Sequence, residues 1–189
     1  MKFFSKKELK IIGSILFIIS FISFFNFRIS IRRARDNQRK NDLGVLQSSL
    51  EKYNHMVGVF PLSSEDGKIL ACRGDDTYFD QKLKVWVNVK ACVWGKDVLR
   101  DFSETEILMN PIPTDPKNEE GMSFLYISNG TRYQVFAHLE GKDEAEYDTK
   151  IEQRGLMCGN EVCNYGRTYG STPLDKSLEE YENELSEIK

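Results

Sequence analysis

Hydrophobic residues form one uninterrupted stretch near the N-terminus and then become periodic. Residues 11–27 contain no charged side chain, which is close to the shortest length that crosses a bilayer as a helix, roughly 17–25 residues. After Arg28 the composition becomes polar, yet helix-forming residues continue. Apolar side chains then recur every three or four positions, at Leu43, Leu46, Leu50, Tyr53 and Val57. This spacing predicts an amphipathic helix that continues the apolar one.

The predicted helix spans residues 9–57 and ends at a glycine followed by a proline, Gly58 and Pro61, which is the usual order at a helix C-terminus. Unbroken, it would be about 75 Å long at ~1.5 Å per residue. A rod of that length does not fit inside the small domain that the remaining residues can form. We therefore expect its first half to lie in lipid or in a partner, and its second half to carry a globular head.

Short segments in the head alternate in polarity or end at turn residues. Apolar and polar residues alternate over residues 83–89, which predicts a half-buried strand. Residues 98–109 are interpreted as a short helix or turn. Residues 124–128 and 133–139 predict a hairpin whose turn holds Asn129 and Gly130, the preferred pair for a type I′ connection. Asn129 also begins a glycosylation sequon, but the turn already explains both residues.

The C-terminal residues predict a second amphipathic helix. Thr172 and Pro173 resemble a helix cap and first position, and apolar residues then repeat at helical spacing among many glutamates. Four interpretations of this acidic segment, residues 174–189, stay open. In three of them it packs on the head, binds a partner helix or lies against the basic stalk. In the fourth it is a frayed, solvated tail.

Charge is distributed unevenly along the chain. Residues 1–40 carry +8 and residues 41–189 carry −11, which gives the net charge of −3. Two interpretations of the basic stalk stay open: it attracts the acidic head of a neighbouring subunit, or its arginines face anionic lipid head groups.

The apolar stretch is interpreted as an uncleaved anchor, because no small-residue cleavage site follows it. Counting flanking positive charges would place the head in the cytoplasm. An even number of cysteines behind an anchor instead suggests disulfides and an extracytoplasmic head. We give the cysteines more weight, because long domains are translocated despite flanking charge.

Four cysteines allow three disulfide connectivities. We predict the two local pairs, in which Cys72 is bonded to Cys92 and Cys158 is bonded to Cys163.

The sequence contains no nucleophile elbow, phosphate loop, dinucleotide fingerprint or metal-ligand cluster. An enzyme is therefore not expected. Nucleic-acid binding is not expected either, since the basic run directly follows the anchor.

Two groups of residues resemble type IV pilin-like proteins, most closely the major pseudopilins of type II secretion systems. The helix over residues 34–53 and its closing Gly58 and Pro61 resemble that family's stalk helix. Asp115 and Pro116, followed by two tyrosines, resemble its Asp-Pro segment. The resemblance covers about residues 4–139. At the N-terminus, Phe4 and Glu8 match the family's spacing, whereas Phe3 stands where the family has the glycine that precedes cleavage. We therefore expect this chain to keep its N-terminus.

The resemblance implies an α+β, pilin-like fold, in which a long N-terminal helix packs on a small antiparallel sheet. The expected parts are an anchor over residues 1–31, an amphipathic stalk helix over 32–57, an extracytoplasmic head over 58–173, and the acidic helix or tail. Relatives of this kind hold calcium near the loop after the hairpin, so weak calcium candidates are Glu140, Asp143 and Asp148. No other cofactor is expected.

The implied function is that of a structural subunit of a type IV pilus-like or pseudopilus filament, which serves secretion, motility, adhesion or DNA uptake. The implied partners are membrane lipid, other copies or related subunits, and an inner-membrane assembly platform, with Glu8 and Phe4 important for assembly. The N-terminus would be cytoplasmic and the head extracytoplasmic, at the membrane or in a surface filament. The alternative is a monomeric anchored module that binds or docks outside the cytoplasm.

Overall fold

The computed structural model describes residues 6–82, 85–101 and 106–187. It has an α+β architecture, in which one long N-terminal helix is followed by small antiparallel sheets and two shorter α-helices. The predicted long helix is confirmed as α1, which spans Lys6–Val57. It ends where the sequence indicates: Gly58 has φ +88°, and its N–H donates to the carbonyl of Asn54 at 2.7 Å. A glycine reaches this left-handed conformation without the steric cost that a Cβ would add.

The rest of the secondary structure consists of short elements. The strands are β1 (Leu62–Ser63), β2 (Ile69–Cys72), β3 (Tyr78–Asp80), β4 (Val85–Val87), β5 (Lys90–Ala91), β6 (Leu99–Arg100), β7 (Ile107–Met109), β8 (Leu125–Ser128), β9 (Tyr133–Ala137), β10 (Met157–Cys158), β11 (Glu161–Val162) and β12 (Tyr165–Thr168). The helices after α1 are a 3₁₀ turn at Asn118–Glu120, α2 (Thr149–Gln153) and α3 (Leu178–Glu187).

The central sheet has the order β12-β9-β8 and is antiparallel throughout. Tyr126 pairs with Val135 on one side of β9, and Tyr165 pairs with Ala137 on the other. Every residue of β9 is buried, because α1 covers one face of the sheet and the segments carrying α2 and β10 cover the other. A second sheet has the order β1-β2-β5. Three further strand pairs, β3-β4, β6-β7 and β10-β11, complete the head.

The interpretation of residues 98–109 as a short helix or turn is wrong at both ends of the segment, and residues 102–105 lie outside the described part of the chain. Leu99 pairs with Met109 and Arg100 with Ile107, so the two ends of this segment form an antiparallel pair. Each apolar run is too short for periodicity to distinguish a strand from a helix.

The strand predicted over residues 83–89 forms at Val85–Val87, where it pairs with β3. Its first two predicted residues lie outside the described part of the chain.

The hairpin β8–β9 is confirmed, but its turn is not type I′. Ser128 pairs with Tyr133, so the connection has four residues. Only Gly130 has a positive φ there, +88°, whereas type I′ needs positive φ at two successive residues. Asn129 instead acts through its side chain, since Oδ1 accepts hydrogen bonds from the N–H groups of Thr131 and Arg132, at 3.1 and 2.9 Å.

The C-terminal helix starts later than the sequence indicated. Its cap is Ser177, whose Oγ accepts from the N–H of Glu180 at 3.1 Å, while the Glu180 carboxylate accepts from the N–H of Ser177 at 2.8 Å. This reciprocal pair is a capping box, and it displaces the predicted start at Thr172. The segment packs on the head: Leu178 is buried, and the buried Gln134 amide donates to the carbonyls of Pro173 and Lys176.

Both predicted disulfides are confirmed. Cys72 and Cys92 join β2 to the residue after β5, with Cα atoms 5.0 Å apart. Cys158 and Cys163 close the β10–β11 hairpin, with Cα atoms 5.1 Å apart. All four cysteines are buried in the head, and neither bond involves α1.

Candidate membrane anchor and its charged junction

The first half of α1 projects from the head with its apolar side chains bare. From residue 7 to residue 31 every position is exposed; Phe17 is 73% exposed and even Ile12 is 39% exposed. This part of the helix is long and apolar enough to cross a membrane. Over residues 11–27 no side of the helix carries a charge, which is typical of a helix surrounded by lipid or by other apolar helices.

The second half of α1 is fixed to the head by its predicted seam. Leu43, Leu46 and Leu50 are fully buried and Tyr53 packs against the same core. The guanidinium of Arg167, on β12, lies beside the stalk at Gly44, 3.9 Å from where a Cβ would be, which is ordinary van der Waals contact. The stalk part of the helix is therefore an integral part of the head's core, while the anchor part is not.

Between these halves lies a cluster of ion pairs that we call the charged junction. Its cations come from the stalk, and its acids come from the stalk, from the Asp-Pro segment and from the loop after β9. Its members are Arg32, Arg33, Arg35, Asp36, Arg39, Lys40, Asp115, Glu140, Asp143, Glu144 and Glu146.

Arg39 is the centre of the charged junction and is completely buried. Its Nε and Nη2 donate to the two carboxylate oxygens of Asp115, at 2.7 and 3.0 Å. Its Nη1 donates to Asp36 and to Glu140, each at 2.8 Å. A buried guanidinium is stable only when its donors are satisfied, and these three carboxylates supply that. Burial lowers the pKa of Arg39, but the hydrogen bonds and charges of its acidic partners outweigh burial, so the net pKa is raised.

Asp36 also organises the loop that follows β9. Its Oδ1 accepts from the N–H of Glu140 at 2.9 Å, and its Oδ2 accepts from the N–H of Gly141 at 3.0 Å. A Cβ on Gly141 would lie 2.9 Å from Arg32 Cζ and from Asp143 Oδ1. A side chain at residue 141 would therefore displace the ends of the Arg32 and Asp143 side chains, which pair with each other.

Glu140 is held between two arginines. Arg35 donates to both of its oxygens, at 2.7 and 2.6 Å, in the two-point geometry that makes arginine–carboxylate pairs strong. Burial raises the pKa of Glu140, but the hydrogen bonds from Arg35 and Arg39 outweigh burial and lower the pKa to about 2. Glu140 is therefore ionised at neutral pH.

Lysine and arginine pairs extend the charged junction towards solvent. Lys40 Nζ donates to Glu144 at 2.9 Å and to Glu146 at 3.0 Å. Nearer the anchor, Asp143 pairs with both Arg32 and Arg33. Five cations of the stalk thus pair with acids of the same chain. Neither interpretation of the basic stalk, with the head of a neighbouring subunit or with lipid head groups as its partner, included these pairs.

The structure does not bring the weak calcium candidates together. Glu140 and Asp143 bind arginines of the stalk, and Asp148 caps α2 by accepting from the N–H of Lys150 at 2.8 Å. Within the described residues, no group of three or more His, Cys, Asp or Glu side chains is arranged to hold a metal ion.

The structure also places the other residues that the resemblance singled out. Pro61 offers its carbonyl to the buried Tyr126 hydroxyl at 2.7 Å. Pro116 directly follows the buried Asp115, whose Oδ1 accepts from the N–H of Lys117 at 2.8 Å. Glu8 is exposed in the first turns of α1, and Phe4 lies outside the described residues.

Sequence reasoning missed Arg39 and Asp36 as buried residues, although a signal exists. Counting back from Leu43 in steps of four and three reaches both positions, so they lie on the same helix face as the buried leucines. Charged residues on the extension of an apolar seam indicate a paired, buried cluster, because an unpaired charge there would be too costly. The acids that complete it come from distant parts of the sequence.

No protein-family model matches this sequence, no curated protein matches it, and no solved structure matches its fold.

Proposed function

We propose that this chain is a single-pass, membrane-anchored structural subunit of a pilin-like filament. In this proposal the heads lie outside the cytoplasm and the apolar N-terminal helices bundle into the filament core. One observation carries the proposal: a single helix, α1, is exposed over residues 7–31, without a charged side chain over residues 11–27, and is buried in the head along its second half. A helix of this kind connects a folded head to an apolar environment.

The charged junction supports close packing of several copies. A stalk with unpaired cations would repel its neighbours when helices are bundled side by side. Here Arg35, Arg39 and Lys40 are paired within their own subunit. Copies can therefore approach one another without a partner that supplies the opposite charge.

The two disulfides support an extracytoplasmic head, because such bonds form and persist in oxidising compartments. The N-terminus would then be cytoplasmic. In this proposal the subunit is held by membrane lipid before assembly, and its partners are further copies, related subunits and an inner-membrane assembly platform. Glu8 and Phe4 are the proposed assembly residues at the start of the anchor.

The experiment that tests the proposal is imaging of material sheared from cells that produce the native chain, with immunolabelling of the head. Fibres that carry the label support a filament subunit, and a strain lacking the gene is the control. If the labelled chain stays in the membrane and chemical cross-linking in cells captures only monomers, the filament proposal is wrong.

A monomeric anchored binding module is the second candidate function. The observation that favours it is a cleft of about 350 Å³ in the head, lined by aromatic and charged side chains. A volume of this size is at the lower end of small-molecule sites.

A further inference from the structure

The cleft lies on the head, at the end of the stalk far from the anchor. Its walls come from four different elements: Tyr53 from the end of α1, Arg73 from the residue after β2, Trp86 from β4 and Arg100 from β6. We call these four residues the arginine cleft. Cys72 also lines the cleft, and its disulfide to Cys92 ties β2 to the residue after β5, so one wall of the cleft is covalently fixed.

Arg73 is held in place by an aromatic ring. Its Cζ lies 3.3 Å from the centroid of the Trp86 ring, and Phe79 packs against the same ring with centroids 5.2 Å apart. Stacking of this kind orients the planar guanidinium before any ligand arrives. Pre-orientation lowers the conformational cost of binding.

Among the described residues, three cations, Lys90, Arg73 and Arg100, lie in or beside the cleft with two acids, Asp97 and Asp101. Asp97 accepts from the N–H of Val93 at 2.9 Å and lies 3.5 Å from Lys90. Asp101 accepts from the N–H of Glu106 at 2.9 Å and also attracts Arg73. Arg100 is exposed and, among the residues the structure describes, forms no ion pair or hydrogen bond through its guanidinium. Arg100 is therefore the surplus cation of the cleft.

Arg73 and Arg100 line the same cleft, and their like charges repel each other. Burial lowers the pKa of Arg73, the charge of Arg100 lowers it further, and the attraction of Asp101 only partly compensates. An anion placed between the two guanidiniums would relieve this repulsion. Tyr53 lines the same space, and its hydroxyl can donate a further hydrogen bond to such an anion.

We infer that the arginine cleft binds a small molecule through its carboxylate or phosphate oxygens, with Arg73 and Arg100 as the donors. Guanidinium groups suit these oxygens because their N–H groups are arranged in a planar fork. The volume admits a single acidic sugar or a phosphorylated small molecule rather than a polymer chain. This inference goes beyond the proposed filament function and does not depend on it, since the cleft belongs to the head alone.

The test uses the full chain in detergent micelles and two probes, inorganic phosphate and glucuronate. The chain has two tryptophans, so its indole N–H groups give two signals in a ¹H–¹⁵N NMR spectrum. Trp86 lines the cleft, whereas Trp94 is buried against Phe124. Saturable movement of the Trp86 signal with either probe at millimolar concentrations, while the Trp94 signal stays fixed, supports the inference.

The two probes distinguish the source of the anion. A response to phosphate alone indicates a phosphorylated ligand, and a response to glucuronate alone indicates an acidic sugar; each supports the cleft. Arg100→Gln should weaken binding by about tenfold or more, because it removes a charge-assisted hydrogen bond. Lys96→Gln, which removes an exposed cation after β5 that does not line the cleft, should bind within about twofold of the native chain.

Arg100 is exposed, so its replacement leaves the core intact, and an unchanged Trp94 signal verifies the fold of each variant. If neither probe moves the Trp86 signal, the inference is wrong. It is equally wrong if Arg100→Gln binds both probes as tightly as the native chain does.

Discussion

Arg39 on the stalk helix and Asp115 in the Asp-Pro segment form a buried two-point ion pair, although 76 positions separate them in the sequence. Both N–H···O distances are 3.0 Å or less, and neither side chain is accessible to solvent. The pair is the direct link between the base of the head and the helix that leads to the anchor. Its removal should therefore have a large effect on the stability of the head.

Asp115→Asn should lower the free energy of unfolding of the head by about 1.5–3 kcal/mol, because it removes the negative charge from two buried hydrogen bonds of Arg39, which keeps Asp36 and Glu140 as partners. The measurement is urea unfolding of the full chain in detergent, followed by tryptophan fluorescence. The matched control is Glu106→Gln, which removes the half-exposed pair with Lys52 and should change stability by about 1 kcal/mol or less. Equal effects of the two variants would contradict the central role of Arg39.

The stability of the head should fall in acid because of Glu140. The pKa of this group is lowered from its ordinary value of 4.5 to about 2 in the folded state. A lowered folded-state pKa stabilises the protein above the unfolded value, and that contribution is lost as pH falls from 4.5 towards 2. Chemical unfolding measured at steps across this range should show the decline.

Glu140→Gln should flatten the acid dependence of stability. At pH 7 the variant should be less stable than the native chain, and the difference should shrink as pH approaches 2. Glu119→Gln, which alters an exposed carboxylate of the 3₁₀ turn, is the control and should keep the native pH profile. A native profile in Glu140→Gln would show that the acid dependence has another source.

Ile18→Arg should prevent both insertion and assembly. The residue is 56% exposed in the middle of the bare helix, and an arginine at the centre of a membrane-spanning helix costs about 2.5–3.5 kcal/mol on insertion scales. Carbonate extraction of membranes measures insertion, and imaging of sheared material measures assembly. Val45→Arg is the control, since Val45 is 51% exposed on the same helix but lies beyond the anchor; its variant should still insert.

Removing the Cys72–Cys92 bond should destabilise the head more than removing the Cys158–Cys163 bond. The first bond closes a loop with a sequence separation of 20 and the second closes one of 5. In the chain-entropy account the longer loop gives the larger effect, about 3 kcal/mol. Unfolding of the two paired Cys→Ala variants gives the comparison, and non-reducing peptide mapping verifies the pairs. Free thiols or crossed pairs in the native protein would contradict the connectivity.

Glu8→Gln should weaken assembly and leave membrane insertion unchanged. A carboxylate at the start of the anchor needs a positive partner, since an unpaired charge in an apolar setting is costly. In the proposed filament a lysine of a neighbouring subunit supplies part of that charge. Fibre yield measures assembly and carbonate extraction measures membrane insertion, so the two effects are separated.

Mass spectrometry of the protein from its native membrane determines whether the chain keeps its N-terminus. A chain that starts at Phe4 would show that it is processed.

The sequence predicted the elements whose signals are local. The long helix, its end at Gly58, the β8–β9 hairpin and both disulfide pairs follow from spacing, turn residues and neighbouring cysteines. The ends of the segment 98–109 were misinterpreted because their strands, of two and three residues, are too short to show a period. The start of α3 was misplaced because two capping patterns occur within a few residues, and local sequence does not decide between them.

The ion pairs of the charged junction could not be predicted from the sequence, for a different reason. The pattern shows that the stalk is basic and that residues 140–148 are acidic, but it does not show that one chain brings them together. The position of Asp36 and Arg39 on the buried face was readable from the heptad-like spacing. Their partners, Asp115 and Glu140, were assigned other roles because contacts between distant residues leave no local signature.

The continuity of α1 has a mechanical consequence. Residues 15–43 contain neither glycine nor proline, so no hinge separates the anchor from the head. A force that pulls on the head is transmitted along the helix axis and loads the Arg39 ion pairs and the buried leucines in shear. Both disulfides lie elsewhere in the head, so apart from the chain that continues from Val57 this load is resisted by non-covalent contacts. The contact between the stalk and the sheet is therefore a part of the head that no disulfide protects under tension.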